Sequence, residues 1–141
     1  MGADERADGL GQLLLQAFWW LDQRRADELE SAGVSISAAQ ALTLTQIPSG
    51  GVRPVELARA TGVSRQAVHQ TLNELQEAGL VQRDRGPTAG SVIVNLTDEG
   101  ARHAQAVADA EESAEQALAR RIGDERLDGL RRALRSDWGA P

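Results

Sequence analysis

The segment Pro54–Leu80, PVELARATGVSRQAVHQTLNELQEAGL, constrains the fold of this chain more than any other stretch. Its apolar spacing and its breakers predict a helix-turn-helix. A short helix is expected from about Pro54 to Thr61. Proline suits the first helical position, where its missing N–H has no intrahelical partner. Gly62 is placed to take the left-handed conformation that ends that helix. Ser64 then caps a second helix, expected over about 65–78 and stopped by Gly79. On that helix Val68, Leu72 and Leu75 share one face at a period of about 3.6 residues. Gln66, Gln70 and Asn73 fall on the opposite face, with Arg65 and His69 on its flank. Ala58 is small where the two helices must cross, and Val63 is expected to plug the space beneath the turn. The outer face carries no apolar residue and is rich in groups able to read base edges. The plain alternative is an amphipathic helix pair with a solvated polar face.

The residues just after this segment narrow the choice. Leu80–Arg85 and Ser91–Leu96 read as two strands, the second rich in strand formers (Val92, Ile93, Val94), joined by a turn over Gly86–Gly90. A hairpin directly after a recognition helix is a wing. The fold expected is mostly α with one small β-hairpin, a winged helix-turn-helix.

The flanks are helical and apolar. Leu10 to about Ala32 reads as a long helix whose apolar triplets, 13–15 and 18–20, spread round most of its girth. Such a helix needs cover on several sides. Ser37 and Gln40 have the spacing of a capping box, opening a helix with Leu42, Leu44 and Ile47 in its body and Pro48 at its end. Thr97 caps an Ala-rich helix to about Ile122, with Asp98 and Glu99 in its first turn, where acids are favoured. Gly123 breaks it, and Asp124 is expected to cap a last helix to about Ser136 with a Leu127–Leu130–Leu134 stripe. Residues 1–9 are expected to be disordered and 10–138 to form one domain: a DNA-binding core over 37–97, its wing at about 80–96, with dimerisation helices over 10–32 and 98–136. A two-fold dimer would cover the apolar flanks and present two recognition helices to one face of a duplex.

Charge sharpens the picture. The chain has 141 residues and a formal net charge of −6. All 15 basic residues are Arg. Residues 53–85 carry five Arg against four acids, whereas 1–30 carry three against seven and 98–137 seven against ten. Of these three stretches only the helix-turn-helix region escapes a net acidic charge, and local charge governs contact with phosphate. No apolar run reaches the roughly 18 residues of a membrane span, and the acidic start MGADERADGL is unlike a signal peptide. With no Cys, disulfides and thiolate metal sites are excluded. A cytoplasmic location is the expectation.

The segments ISAAQALTL, ELARATGVSRQAVHQTLNELQEAGLV, VIVNLTDEGA and LDGLRRALR together resemble the MarR-type winged-helix transcriptional regulators over roughly residues 10–136. The resemblance implies a triangular homodimer built from the terminal helices, recognition helices in successive major grooves of a palindrome, and a pocket for a small aromatic or amphipathic effector between the dimer and DNA-binding parts. It implies a repressor released by that ligand. Gln70 stands where family members often carry Arg, a change from guanine towards adenine. The family's wing tip usually bears an Asp-Arg-Arg-like stretch; Pro87-Thr88-Ala89-Gly90-Ser91 has no cation there.

The expected DNA-reading set is Ser64, Arg65, Gln66, His69, Gln70 and Asn73, with bidentate Asn or Gln contacts to adenine. Arg53, Arg59, Arg83 and Arg85 are expected phosphate contacts. Phe18, Trp19 and Trp20 are candidates for the effector pocket, against the plainer role of core or dimer interface. Glu99 and His103 have the i, i+4 spacing of metal ligands, but an ordinary surface pair explains them better, and no metal or other cofactor is expected. No GxSxG, HExxH or phosphate-binding glycine loop points to an enzyme. The competing class is a winged helix that binds protein rather than DNA, which the bare wing tip and acidic surface would suit.

Overall fold

The computed structural model describes residues 9–139. In chain order they form α1 (Leu10–Ser31), α2 (Ala38–Thr45), α3 (Pro54–Thr61), α4 (Arg65–Glu77), β1 (Val81–Arg85), β2 (Val92–Leu96), α5 (Asp98–Ile122) and α6 (Asp124–Arg135). The strands pair antiparallel, Val81 opposite Leu96 and Arg85 opposite Val92. The expectation of a disordered start falls outside the described residues except at Gly9, whose carbonyl accepts from the Leu13 amide and begins α1.

Local signals act where they stand. The Ser37 and Gln40 side chains exchange hydrogen bonds with each other's backbone amides, a complete capping box. Gly62 adopts φ 70°, which an L side chain rarely takes, and its amide bonds to the Ala58 carbonyl to close α3. Ser64 and Thr97 cap α4 and α5 through their hydroxyls, accepting from the amides of Ala67 and Gly100.

Two apolar clusters hold the elements. The larger joins Leu44, Ile47, Leu57, Val68, Leu72, Leu75, Leu80, Val81 and Val94, so the helix-turn-helix and the wing share one core. The second joins Leu29, Ala41, Val107 and Ala110, locking the end of α1 and α2 onto α5. Along α5, Val107, Ala110, Ala114 and Ala117 are buried at helical spacing; their small side chains permit a close approach. At the junction of wing and α5, the Thr97 hydroxyl donates to the Gly79 carbonyl and its amide to that of Leu80. Gly100 packs directly on the Leu80 carbonyl, where a Cβ would overlap it.

Several local expectations need correction. Ile47 lies past the end of α2, because the residue before Pro48 is driven out of the helical region; it is buried all the same. Val63 does not plug the turn and is 44% exposed. Leu57, Val68 and Leu72 already fill the space beneath, and the extended cap at Ser64 leaves Val63 outside. Asp124 is the first residue of α6, not its cap; Gly123 takes that position without a side-chain bond. Each strand starts one residue later than expected. Val52 also pairs with Val94 through two backbone bonds of 3.0 and 2.8 Å, adding a short third rung to the wing. A single bridge of that kind leaves no periodic trace in the sequence.

Candidate nucleic-acid interface

Helix α4 buries Val68, Thr71, Leu72 and Leu75 and exposes Arg65, Gln66, His69, Gln70 and Asn73. The buried face fixes the rotation of the helix, and that rotation aims the polar side chains outward. The Ser64 hydroxyl is engaged at 3.1 Å by the Ala67 amide, so this residue acts as the cap that starts the reading helix. The far end is braced too: Gln40 of α2 donates to Glu74 at 3.0 Å.

The arginines expected at phosphate divide into two kinds. Among the described residues Arg59, Arg65 and Arg85 are exposed and form no ion pair. Arg53 is exposed but committed: its guanidinium and its amide each donate to the Glu56 carboxylate at 3.1 Å. The Arg53 side chain, and after it the Arg53 backbone, holds the Glu56 carboxyl below the ordinary carboxylate range.

Arg83 is different from both kinds. Strand alternation sets it on the same face of β1 as the buried Val81, towards α4. There it is half-buried and donates to Asn73 Oδ1 at 2.8 Å, to Gln76 Oε1 at 3.2 Å and to the His69 carbonyl at 3.3 Å. The sequence placed Asn73 and Arg83 in separate sets and omitted Gln76; the structure brings the three together. The signal available was the β alternation from Val81, which points Arg83 inward.

The wing tip is compact and uncharged. Gly86 and Ser91 close it with a 2.9 Å backbone bond, and the Ser91 hydroxyl bridges to the Thr88 carbonyl at 2.7 Å. On the opposite face of the hairpin from Arg83, Gln82 and Asn95 both donate to Asp84.

Phe18, Trp19 and Trp20 do not converge. Successive helical positions point about 100° apart, and the three side chains fan round α1. Phe18 lines a cleft of about 310 Å³ with Leu21, Asp22, Arg25, Leu42, Glu111, Ala114 and Glu115. Trp19 meets the Phe18 ring edge-on at 5.3 Å and is 57% exposed. Trp20 lies beneath the guanidinium groups of Arg24 and Arg121 at 5.1 and 5.9 Å. Neither tryptophan lines the cleft. Glu99 pairs with Arg102, which lowers the Glu99 pKa and raises that of Arg102. His103 Nδ1 sits 2.9 Å from the Glu99 carbonyl, and no group of three or more metal-ligating side chains occurs among the described residues.

Residues 24–90, spanning the reading helix and the wing up to its tip, match the MarR family. That match spans 67 of the 141 residues. No curated protein matches it in sequence. The transcriptional repressor CouR bound to a 23-mer DNA duplex superposes with a TM-score of 0.80 at 25% identity, covering 95% of each chain. A cysteine-to-serine mutant of MarR from E. coli, in complex with operator DNA, gives 0.81 at 24% identity over 97% of this chain and 100% of that one. CouR bound to p-coumaroyl-CoA gives 0.79 at 24% identity, covering 95% and 94%. The chain thus shares the fold of these structures nearly end to end while carrying a wing tip without arginine.

Proposed function

We propose that this chain is a transcriptional regulator, not an enzyme, acting as a homodimer that grips a palindromic operator through α4 and is a repressor released by a small molecule. The observation that carries this is the exposed face of α4. It is capped, braced at its far end and polar but for the small Ala67, and it stands beside a wing in a fold whose similar structures include a repressor on a DNA duplex. Ser64 fixes the start of the helix. Arg65, Gln66, His69, Gln70 and Asn73 face the base edges, and Arg59 and Arg85 flank them at phosphate. A regulator of this kind works in the cytoplasm, and no described helix is long and apolar enough to cross a membrane.

The dimer rests on what the terminal helices leave bare. Leu10, Leu13, Leu15, Phe18 and Trp19 of α1 and Leu130 and Leu134 of α6 are exposed in the single chain, and α6 has no buried residue. The cleft beside Phe18 is the effector site this reading favours. Its Arg25 is already paired with Asp22 and Glu111, and Glu115 stands near. An amphipathic ligand with a neutral or cationic head suits that lining better than an acid does.

Footprinting of the purified protein on its own upstream DNA tests the proposal. The expected result is protection of two half-sites about one helical turn apart, roughly 10 base pairs. Arg65→Ala should abolish it. Protection that survives this substitution removes Arg65 from the contacts; no protection at any concentration favours a protein-binding winged helix.

A further inference from the structure

We infer that Arg83 is a positioning residue that sets which base Asn73 reads, making the Asn73 amide a donor to guanine or thymine instead of a bidentate partner of adenine. The inference rests on the DNA-binding function proposed above. Arginine has donors only, so the atom of Asn73 that faces it must be the carbonyl oxygen. That bond, 2.8 Å long, runs to the hairpin side of α4 and leaves the Nδ2 hydrogens directed away from the wing. Bidentate adenine recognition needs Oδ1 and Nδ2 turned to the base edge together, Oδ1 accepting from N6 while Nδ2 donates to N7; with Oδ1 held on the hairpin side by Arg83, Nδ2 is the group left to the base. A donor-only Asn73 suits guanine, with its N7 and O6 acceptors, or thymine O4.

Arg83 is firmly held in this position. Gln76 Oε1 and the His69 carbonyl accept two further bonds from its guanidinium, so it bridges three acceptors on successive turns of one helix face. Among the described residues it pairs with no carboxylate. Its charge is therefore undiminished beside Asn73 and polarises that amide as a donor. Moving Arg83 out to a phosphate would require giving up all three bonds from a half-buried position.

Selection from randomised duplex DNA by the full-length protein at fixed salt tests this. The position read by Asn73 is the one whose preference vanishes in Asn73→Ala. Wild type should enrich guanine or thymine there, and Arg83→Lys, which keeps a donor, should retain that choice. Arg83→Met should lose it by about five- to tenfold while keeping its preferences elsewhere and its melting temperature. Asn73→Asp keeps the acceptor for Arg83 but offers no donor, and should turn the preference to cytosine, whose N4 donates; this arm stands even if Arg83→Met fails to fold. Adenine enrichment by wild type, or an unchanged Arg83→Met preference accompanied by a salt slope smaller by about one, overturns the inference and makes Arg83 a phosphate contact. If wild type enriches no duplex, the DNA-binding function itself fails. NMR of the free protein then decides separately: the Arg83 guanidinium signals should be slowly exchanging and become fast in an Asn73→Ala, Gln76→Ala variant. Equal exchange in the two proteins sinks the positioning role.

Discussion

Gly100 lies in the first turn of α5, pressed onto the Leu80 carbonyl where α4 gives way to the wing. No rotamer relieves a clash between a Cβ and a backbone carbonyl, so a methyl group there must push the long helix off the wing. Gly100→Ala is expected to cost about 3 kcal/mol, the upper end for overfilling a packed site. A thermal melt at fixed protomer concentration should fall by roughly 10 °C; an unchanged melt means the two backbones are not held together. At Arg53 and Glu56 the effect is electrostatic. The folded pKa of Glu56 is lowered, so its contribution is fully present above the ordinary carboxylate range and is lost as pH falls through the lowered value. The difference in melting temperature between wild type and Glu56→Gln should therefore close between about pH 6 and pH 3. A constant difference over that span contradicts the pairing.

Among the elements, the wing departs furthest from what the family resemblance implies. Its tip is bonded through Gly86, Thr88 and Ser91 and carries no cation, and Arg83 at its base is spent on α4. Arg59 and Arg85 remain for phosphate and Arg65 for the base edges, so a dimer brings roughly six cations to the duplex. The slope of log affinity against log salt should then be no steeper than about −5. A measured slope near −7 or beyond, typical of about eight phosphate contacts, would show that the wing finds cations not assigned to it. The helix beside it must then carry most of the sequence discrimination, and its cap, its brace to Gln40 and its bond to Arg83 all serve to keep it in one orientation.

For the whole molecule, the two ends of the chain and its middle do different work. The middle buries most of its large apolar residues within one chain; α6 and the first turns of α1 do not. Leu130 and Leu134 are 39% and 47% exposed on a helix with nothing buried. Burying a leucine side chain is worth about 1.5–3 kcal/mol, and a two-fold interface counts each one twice. The double variant Leu130→Asp, Leu134→Asp should sediment as a monomer with an intact fold by circular dichroism. Its operator affinity should drop by about a hundredfold or more, because the second half-site no longer binds at high effective concentration. A stable dimer of this variant would place the interface elsewhere. The tail adds one local anchor, the Trp138 indole donating to the Ala133 carbonyl at 3.0 Å.

Legibility tracked the range of the interaction. The capped starts of α2, α4 and α5, the left-handed stop at Gly62 and the buried stripe of α4 depend on residues within a few positions of each other. The sequence alone therefore determined the order of helices and hairpin, and with it the face of α4 turned to solvent. The resemblance of that same stretch to a family pointed to the class of protein. Tertiary structure alone decided what depends on distant parts meeting. It brought Val52 to Val94, seated Gly100 on Leu80 and left Val63 outside a space already filled. Above all it bonded Arg83 to Asn73. A side chain's partner is set by where two separate elements pack, and no local pattern records that meeting.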